Sequence, residues 1–134
     1  MIEKLMNLAN NSYSPYSHFR VATIVIMKDG AEFKGVNVEN SAYGSSICAE
    51  RSAILAAISN GYTKGDFKVM HCLCADSNKV STSCFACRQV ISELFDKDVD
   101  LYFYANTGES KVYKVSELCP YPFNEDDLKW DVDL

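Results

Sequence analysis

The pattern of apolar residues predicts helices in three separate regions of this chain. Within residues 2–10 an apolar side chain returns every three or four positions, which predicts a short amphipathic helix. The same spacing over residues 87–95 predicts a second helix that packs on a sheet. Residues 48–59 are rich in Ala, Ile and Leu on every side, which predicts a buried central helix that ends at Gly61.

Short runs rich in β-branched and aromatic residues predict strands between these helices. Residues 21–27 form a nearly unbroken apolar run, which is typical of a strand buried on both faces. The turn signal Lys28-Asp29-Gly30-Ala31 then predicts a hairpin to a return strand over residues 33–39. The remaining predicted strands cover residues 67–75, 101–105 and 111–115.

The predicted order of elements is α-β-β-α-β-α-β-β, which indicates an α/β fold. We expect a three-layer α-β-α sandwich in which a mixed five-stranded sheet has helices on both faces. The chain has 134 residues, and this length fits one domain over residues 1–134. Pro120 and Pro122 interrupt regular structure before a short acidic tail that carries Trp130.

Composition and charge narrow the classes of function. The net charge of −5 disfavours nucleic acid as a partner, because such binding depends on Lys and Arg neutralising phosphates. No apolar run approaches the ~20 residues of a membrane span. The six cysteines follow an N-terminus without the pattern of a signal peptide, so we expect a cytoplasmic protein. Cysteine pairs in that reducing compartment more often serve metal binding or catalysis than disulfides.

Two cysteine motifs, Cys48-Ala-Glu50 and Cys84-Phe-Ala-Cys87, carry the candidate chemistry. Three thiolates can hold one Zn²⁺ and leave its fourth position open for water, which is typical of a catalytic zinc site. Glu50 stands two residues from the first ligand, where a carboxylate can move protons to and from that water. The sequence therefore predicts a hydrolase with one zinc ion per chain.

Both motifs fall at predicted helix starts, where unpaired N–H groups and the helix dipole favour thiolate over thiol. Ser45 and Ser46 are suited to cap the first of these helices. Three thiolates give the zinc site a net negative charge, so nearby donors must draw charge from the sulfurs. Arg51 and Gln89 are the predicted hydrogen-bond donors to the thiolates.

Each cysteine motif alone is a weak signal, because the paired cysteines could also form a redox pair or half of a closed structural zinc site. A closed site needs a fourth protein ligand. The candidates for that ligand are Cys72, Cys74, Cys119, His18 and His71. Cys72 and Cys74 lie two residues apart on one face of a predicted strand and are better explained as buried free thiols. His71 is better explained as a sheet residue with a hydrogen-bond partner.

Taken together, these residues resemble the small, homotetrameric form of cytidine deaminase over nearly the whole chain. The matching blocks are Tyr16-Ser-x-Phe19-x-Val21, Asn37-Val-Glu39-Asn-x-x-Tyr43, Cys48-Ala-Glu50-Arg51, Cys84-x-x-Cys87-Arg-Gln89, and Phe123 ahead of Leu128. The resemblance implies a zinc-dependent hydrolase of pyrimidine salvage that converts cytidine and deoxycytidine to uridine and deoxyuridine plus ammonia. It also implies that Cys48, Cys84 and Cys87 are the zinc ligands.

The resemblance further implies which residues act on the base and on the sugar. Glu50 would move protons between water, ring N3 of cytosine and the departing ammonia. Asn37 and Glu39 would hold the ribose hydroxyls, and their spacing of two places both on one face of a strand. Phe19 would stack on the pyrimidine, and the backbone of Ala49 would read the edge of the base.

Two aromatic residues are expected to act between subunits of the implied homotetramer. Tyr43 would approach the ribose across an interface. Phe123 of a neighbouring subunit would close the pocket over the base. The partners predicted for this chain are thus a nucleoside and further copies of itself.

The chain departs from the family at Ser83-Cys84-Phe85, where Pro-Cys-Gly is usual. The large ring of Phe85 favours one alternative function, deamination of a modified or antibiotic nucleoside. Another alternative is a non-catalytic zinc-binding homologue. The joint presence of Glu50, Asn37 and Glu39 argues against that second alternative, because a scaffold has no need of all three.

Overall fold

Five strands form one mixed sheet in the computed structural model, which describes residues 1–128. The strands are β1 (Val21–Met27), β2 (Glu32–Val36), β3 (Phe67–Cys74), β4 (Asp100–Ala105) and β5 (Ser110–Lys114). Their order across the sheet is β2-β1-β3-β4-β5; β3 and β4 are parallel and the other neighbours antiparallel. The predicted α/β class and mixed sheet are confirmed, whereas Trp130 lies outside the described residues.

Helices cover both faces of the sheet. They are α1 (Ile2–Ala9), α2 (Ala49–Ser59), α3 (Phe85–Leu94) and the one-turn α4 (Val115–Leu118). Leu5 and Ala9 of α1 pack with Ile24 and Leu73 on one face. The core side chains of α2 and α3 pack on the opposite face. No helix among residues 1–128 is long and apolar enough to cross a membrane.

The return strand β2 ends at Val36 rather than at the predicted Glu39. Val38 leaves the sheet and forms single bridges to Tyr13 and Ile47, so the chain bends away from β1. The bend carries Asn37 and Glu39 out of the regular strand and into a cavity beside the start of α2.

Gly35 in β2 allows α2 to lie directly on the sheet. A Cβ atom at this position would stand 2.3 Å from the amide nitrogen of Ala53 and 2.6 Å from the carbonyl oxygen of Ala49. Both distances are far shorter than any van der Waals contact. The absence of a side chain at Gly35 therefore fixes how closely the first turns of α2 approach β2.

The ends of α2 agree only in part with the predictions. The helix ends at Ser59 with Asn60 as its C-cap residue, and Gly61 follows with a φ of +97°, which confirms the predicted stop. The capping prediction is wrong, because Cys48 itself is the N-cap residue and Ser46 Oγ accepts instead from the backbone of Asn40. The prediction of burial on every side is also wrong, since Leu55 is 51% exposed.

Candidate active site

Three cysteine sulfurs converge where α2 and α3 begin. Cys48 and Cys84 are the N-cap residues of these helices, and Cys87 lies in the first turn of α3. The three Sγ atoms lie within 4.8 Å of one another, and those of Cys48 and Cys84 are 3.7 Å apart. Sulfurs that share one tetrahedral zinc at ~2.3 Å lie ~3.8 Å apart, so this donor set fits the ion. Within residues 1–128 the cluster has no fourth Cys, His, Asp or Glu ligand.

Hydrogen bonds within the cluster stabilise negative charge on sulfur. Arg51 donates from its guanidinium to Cys48 Sγ at 3.4 Å, as predicted from the sequence. The neighbouring Cys87 thiol, together with Arg51 and Cys84, lowers the pKa of Cys48 to about 5. The interaction with Cys48 and burial raise the pKa of Cys87. These surroundings favour the thiolate of Cys48 and the thiol of Cys87.

Glu50 projects from the first turn of α2 and is only 6% exposed. Burial raises the pKa of its carboxyl group, and the nearby charge of Cys48 acts in the same direction. The Ser83 hydroxyl works against this rise, although no hydrogen bond of normal geometry joins the two groups. A carboxyl group in such surroundings can take up and release protons closer to neutral pH than an exposed one.

An open cavity of about 450 Å³ is lined by Glu50 and by two cysteines of the cluster, Cys48 and Cys84. Its size lies within the range of small-molecule sites. The lining residues are Ser17, Phe19, Val21, Asn37, Glu39, Ser46, Ile47, Cys48, Ala49, Glu50, Cys74, Ser81, Thr82 and Cys84. The structure therefore brings Phe19, Asn37, Glu39 and Ala49 together around the candidate catalytic group. Cys74 is the last residue of β3 and reaches the cavity because the strand ends there. The position of Cys74 on one face of a strand does not by itself indicate this.

The side chain of Asn37 also holds the segment that carries Phe19. Its Oδ1 accepts from the backbone of Val21 at 2.9 Å and from the Ser12 hydroxyl, and its Nδ2 donates to the carbonyl oxygen of Phe19 at 2.7 Å. One N–H of the amide then remains for a ligand. Asn37 thus supports the cavity wall and keeps one amide N–H as a donor for a ligand.

Tyr43 lines a second cavity of about 370 Å³ on the far side of Glu39. Its ring meets Tyr16 edge-on, with centroids 6.4 Å apart, and its side chain is 78% exposed. The two cavities share Ser17, Glu39 and Ser46 in their walls. Whether Tyr43 meets a ribose in another subunit stays a prediction.

Gln89 and Phe123 lie together, away from the main cavity. Gln89 Nε2 donates to the carbonyl oxygen of Phe123 at 2.7 Å, and the predicted bond from Gln89 to a thiolate stays a prediction. Both residues line a separate cavity of about 180 Å³, together with Phe85. The Phe85 ring is 76% exposed and stacks under the guanidinium of Arg88 at 4.3 Å. Phe85 therefore does not narrow the main cavity.

Three of the other candidate ligands, Cys72, Cys74 and His71, have surroundings of their own outside the cluster. All six cysteines are free, and Cys72 and Cys74 are buried thiols, as predicted. Burial and the charge of Glu50 raise the pKa of Cys74 to about 11, which keeps it a thiol. His71 Nδ1 lies 2.9 Å from the hydroxyl of Tyr104, so it is a sheet histidine with a partner, also as predicted.

Comparison with known proteins agrees with this geometry. The family described as the cytidine and deoxycytidylate deaminase zinc-binding region matches residues 1–103. The chain belongs to this family. It is 37% identical to a cytidine deaminase of Halalkalibacterium halodurans over 128 residues, which cover 96% of this chain and 95% of that one. It is 35% identical to a cytidine deaminase of Sporosarcina psychrophila, with 96% of each chain covered.

A solved structure of the family has the same fold. The crystal structure of a cytidine deaminase from Burkholderia pseudomallei matches with a TM-score of 0.87 and 34% identity, over 91% of this chain and 95% of that chain. The family description names a zinc-binding region. The three cysteines predicted as zinc ligands bring their sulfurs together in this chain, as one zinc site requires. The prediction of a zinc centre formed by Cys48, Cys84 and Cys87 is thereby confirmed.

Proposed function

We propose that this chain hydrolyses the amino group of cytidine and deoxycytidine, which yields uridine and deoxyuridine plus ammonia. The observation that carries the proposal is a buried carboxyl group, Glu50, that lines an open cavity of nucleoside size together with two members of a cluster of three cysteines. The relatives that match nearly the full length of the chain bear the name cytidine deaminase, which supports the same substrate class.

Cys48, Cys84 and Cys87 would hold the zinc ion, and the bound ion would supply the Lewis acidity that activates water for attack on C4. Glu50 moves two protons in turn: its carboxylate accepts one from the attacking water and donates it to ring N3, and it then accepts the second from the hydroxyl group now bonded to C4 and donates it to the amino group, which leaves as ammonia as the C4–N bond breaks and the C4=O bond forms. Arg51 donates a hydrogen bond to Cys48 Sγ, which stabilises the thiolate and draws part of its negative charge toward the guanidinium.

The walls of the cavity hold the nucleoside. Phe19 offers its ring face to the pyrimidine, and it is 37% exposed toward the open side. The free N–H of Asn37 and the carboxylate of Glu39 provide one donor and one acceptor, which match the hydroxyl groups of a sugar. The backbone of Ala49 lies at the start of α2, where unpaired N–H groups can meet the polar edge of the base.

The working form in this proposal is a cytoplasmic homotetramer. Three observations on the single chain support an assembly: Leu55, Tyr121 and Phe123 are exposed apolar or aromatic side chains at 51%, 101% and 56%. Such surfaces on one subunit are suited to contact with another. Phe123 would reach the base pocket of a neighbour, as the family resemblance implies. Six free cysteines are compatible with a reducing compartment.

The experiment that tests the function follows the ultraviolet absorbance of cytidine in the presence of the purified protein. We expect the absorbance to fall with time, to stop falling after treatment with a zinc chelator, and to resume when Zn²⁺ is restored. Deoxycytidine should react as well. A protein that holds zinc at these three cysteines but leaves cytidine unchanged would refute the proposal and favour a non-catalytic role.

A further inference from the structure

The hydroxyl of Ser17 joins two residues of the proposed nucleoside site. Its Oγ donates a hydrogen bond to Oε2 of Glu39 and accepts one from the backbone N–H of Phe19 at 3.0 Å. The other oxygen of Glu39, Oε1, accepts from the backbone N–H groups of Tyr16 and Ser17, both at 3.1 Å. Ser17 also lies in the wall between the two neighbouring cavities.

The number of hydrogen bonds that each group can form defines what Ser17 can do. A hydroxyl group has one donor, and Ser17 uses it on Glu39. Ser17 therefore has no proton left to offer a ligand and acts on a ligand through its neighbours. A carboxylate accepts at about four positions, and three of those on Glu39 are filled from this turn. About one position on Glu39 remains for a sugar hydroxyl.

The turn around Ser17 is exposed, so little packing holds Glu39 and Phe19 in place. When a side chain becomes ordered only as a ligand binds, the entropy lost in ordering that side chain lowers the affinity for the ligand. A single hydroxyl that fixes both groups beforehand removes part of that cost. The order of the Glu39 carboxylate and that of the Phe19 backbone then depend on the same group.

We propose that Ser17 is a positioning residue that couples recognition of the sugar by Glu39 to stacking of the base on Phe19. This inference rests on the proposed function, because the sugar and the base are the two parts of its substrate. Substitution of Ser17 should therefore impair both contacts at once, although Ser17 has no free hydrogen-bond donor for the sugar or for the base.

The first test compares Ser17→Ala with the parent protein on cytidine. We expect kcat/KM to fall roughly tenfold, the effect of one hydrogen bond to a charged group. The loss should lie mainly in KM, because pre-ordering of the site favours the ground state and the transition state alike. Ser17→Thr retains the hydroxyl and should keep most of the activity. Ser41→Ala, an exposed serine in the neighbouring loop, is the matched control and should leave kcat/KM unchanged.

A double-mutant cycle separates this role from a general effect on the fold. On free cytosine, which lacks the sugar, Ser17→Ala should cost less than on cytidine. In the Glu39→Ala background, Ser17→Ala should cost no more on cytidine than it costs on cytosine, since no carboxylate remains to be positioned. Full additivity of the two substitutions on cytidine would overturn the proposal, and so would unchanged kinetics of Ser17→Ala.

Binding of uridine, measured by calorimetry, distinguishes failure of this inference from failure of the proposed function. If the parent protein does not convert cytidine, the proposed reaction fails and the affinity for uridine decides the role of Ser17. A dissociation constant roughly tenfold higher for Ser17→Ala than for the parent supports the coupling. Equal dissociation constants, or no uridine binding by the parent, overturn it.

Discussion

At the scale of single residues, the site places two acidic groups side by side whose pKa values are shifted in opposite directions. Glu50 is buried, which favours its protonated form, whereas Cys48 beside it is held as a thiolate by hydrogen bonds. Arg51 serves both groups, because its positive charge lowers the pKa values of the thiol and of the carboxyl group. A proton carrier and a metal ligand can thus be neighbours in sequence and still keep different ionisation states.

We expect the substitution Glu50→Gln to remove nearly all deaminase activity while the protein folds and keeps its zinc. The amide has the same shape as the carboxyl group but cannot carry protons, a role typically worth ~10²–10⁴-fold in rate. Metal content by elemental analysis and cytidine turnover are measured on the same sample. Loss of zinc together with activity would mean that Glu50 is a ligand, and full turnover would mean that another group carries the protons.

We expect Glu39→Ala to reduce kcat/KM far more on cytidine than on cytosine, because only cytidine brings a sugar hydroxyl to this carboxylate. A site that hydrogen-bonds a substrate hydroxyl selects strongly for ligands that carry that hydroxyl, and Glu39→Ala removes this preference. Asn37→Ala serves as the contrast. It also releases the carbonyl of Phe19, so it should impair both substrates. Equal losses for Glu39→Ala on both substrates would assign Glu39 a structural role only.

At the scale of elements, the position of α2 sets the geometry of the site. The helix supplies Cys48, Ala49 and Glu50 from its first turn, and it rests on β2 through Gly35. The starts of α2 and α3 meet beside the end of β3, where Cys74 enters the cavity wall. A shift of α2 relative to the sheet would therefore move a zinc ligand and the proton carrier together.

We expect Gly35→Ala to destabilise the fold and to weaken zinc binding. The new Cβ would lie 2.3 Å from backbone atoms that cannot move without shifting α2. Overpacking of this kind lowers the free energy of unfolding by about 1–3 kcal/mol, and the loss can be larger. Chemical denaturation of the protein measures the loss. Gly44→Ala is the matched control, since its Cβ would enter open space; an equal effect of both substitutions would contradict the argument.

At the scale of the whole molecule, the zinc site links the two helices of one face. Because the ligands come from α2 and α3, an ion that binds only the folded chain stabilises the fold by mass action. We therefore expect chelation to lower the melting temperature by several degrees and restored Zn²⁺ to recover it. Differential scanning calorimetry measures both. An unchanged melting temperature after verified removal of zinc would contradict this link.

The proposed shared active site makes a prediction about mixed assemblies. Glu50→Gln and Phe123→Ala proteins should each have little activity, and mixing them with subunit exchange should restore part of it. Restoration is expected because some mixed sites pair an intact Glu50 with an intact Phe123 from a neighbour. Mixing Glu50→Gln with Cys84→Ser is the control, since both residues belong to the same subunit and no complete site can form. No restoration after proven exchange would refute the shared site.

Much of the fold followed from local pattern. The strand over residues 21–27 and the stop at Gly61 are confirmed because their signals, a nearly unbroken β-branched run and a glycine after the last apolar residues, are local properties. The one-turn helix α4 was missed, since four residues are too few to show a period. The early end of β2 was missed because Val38 pairs with residues distant in sequence.

By itself, the sequence determined the chemical groups of the site: three thiolates, one neighbouring carboxylate and the arginine that follows it, all in two short motifs at helix starts. Tertiary structure alone decided which groups meet. The bond from Gln89 to Phe123, the outward position of Phe85 and the link from Ser17 to Glu39 and Phe19 each depend on contacts between segments or on backbone geometry. A local pattern indicates which residue types can act as ligands and where a helix begins, but not the distances that folding creates between segments.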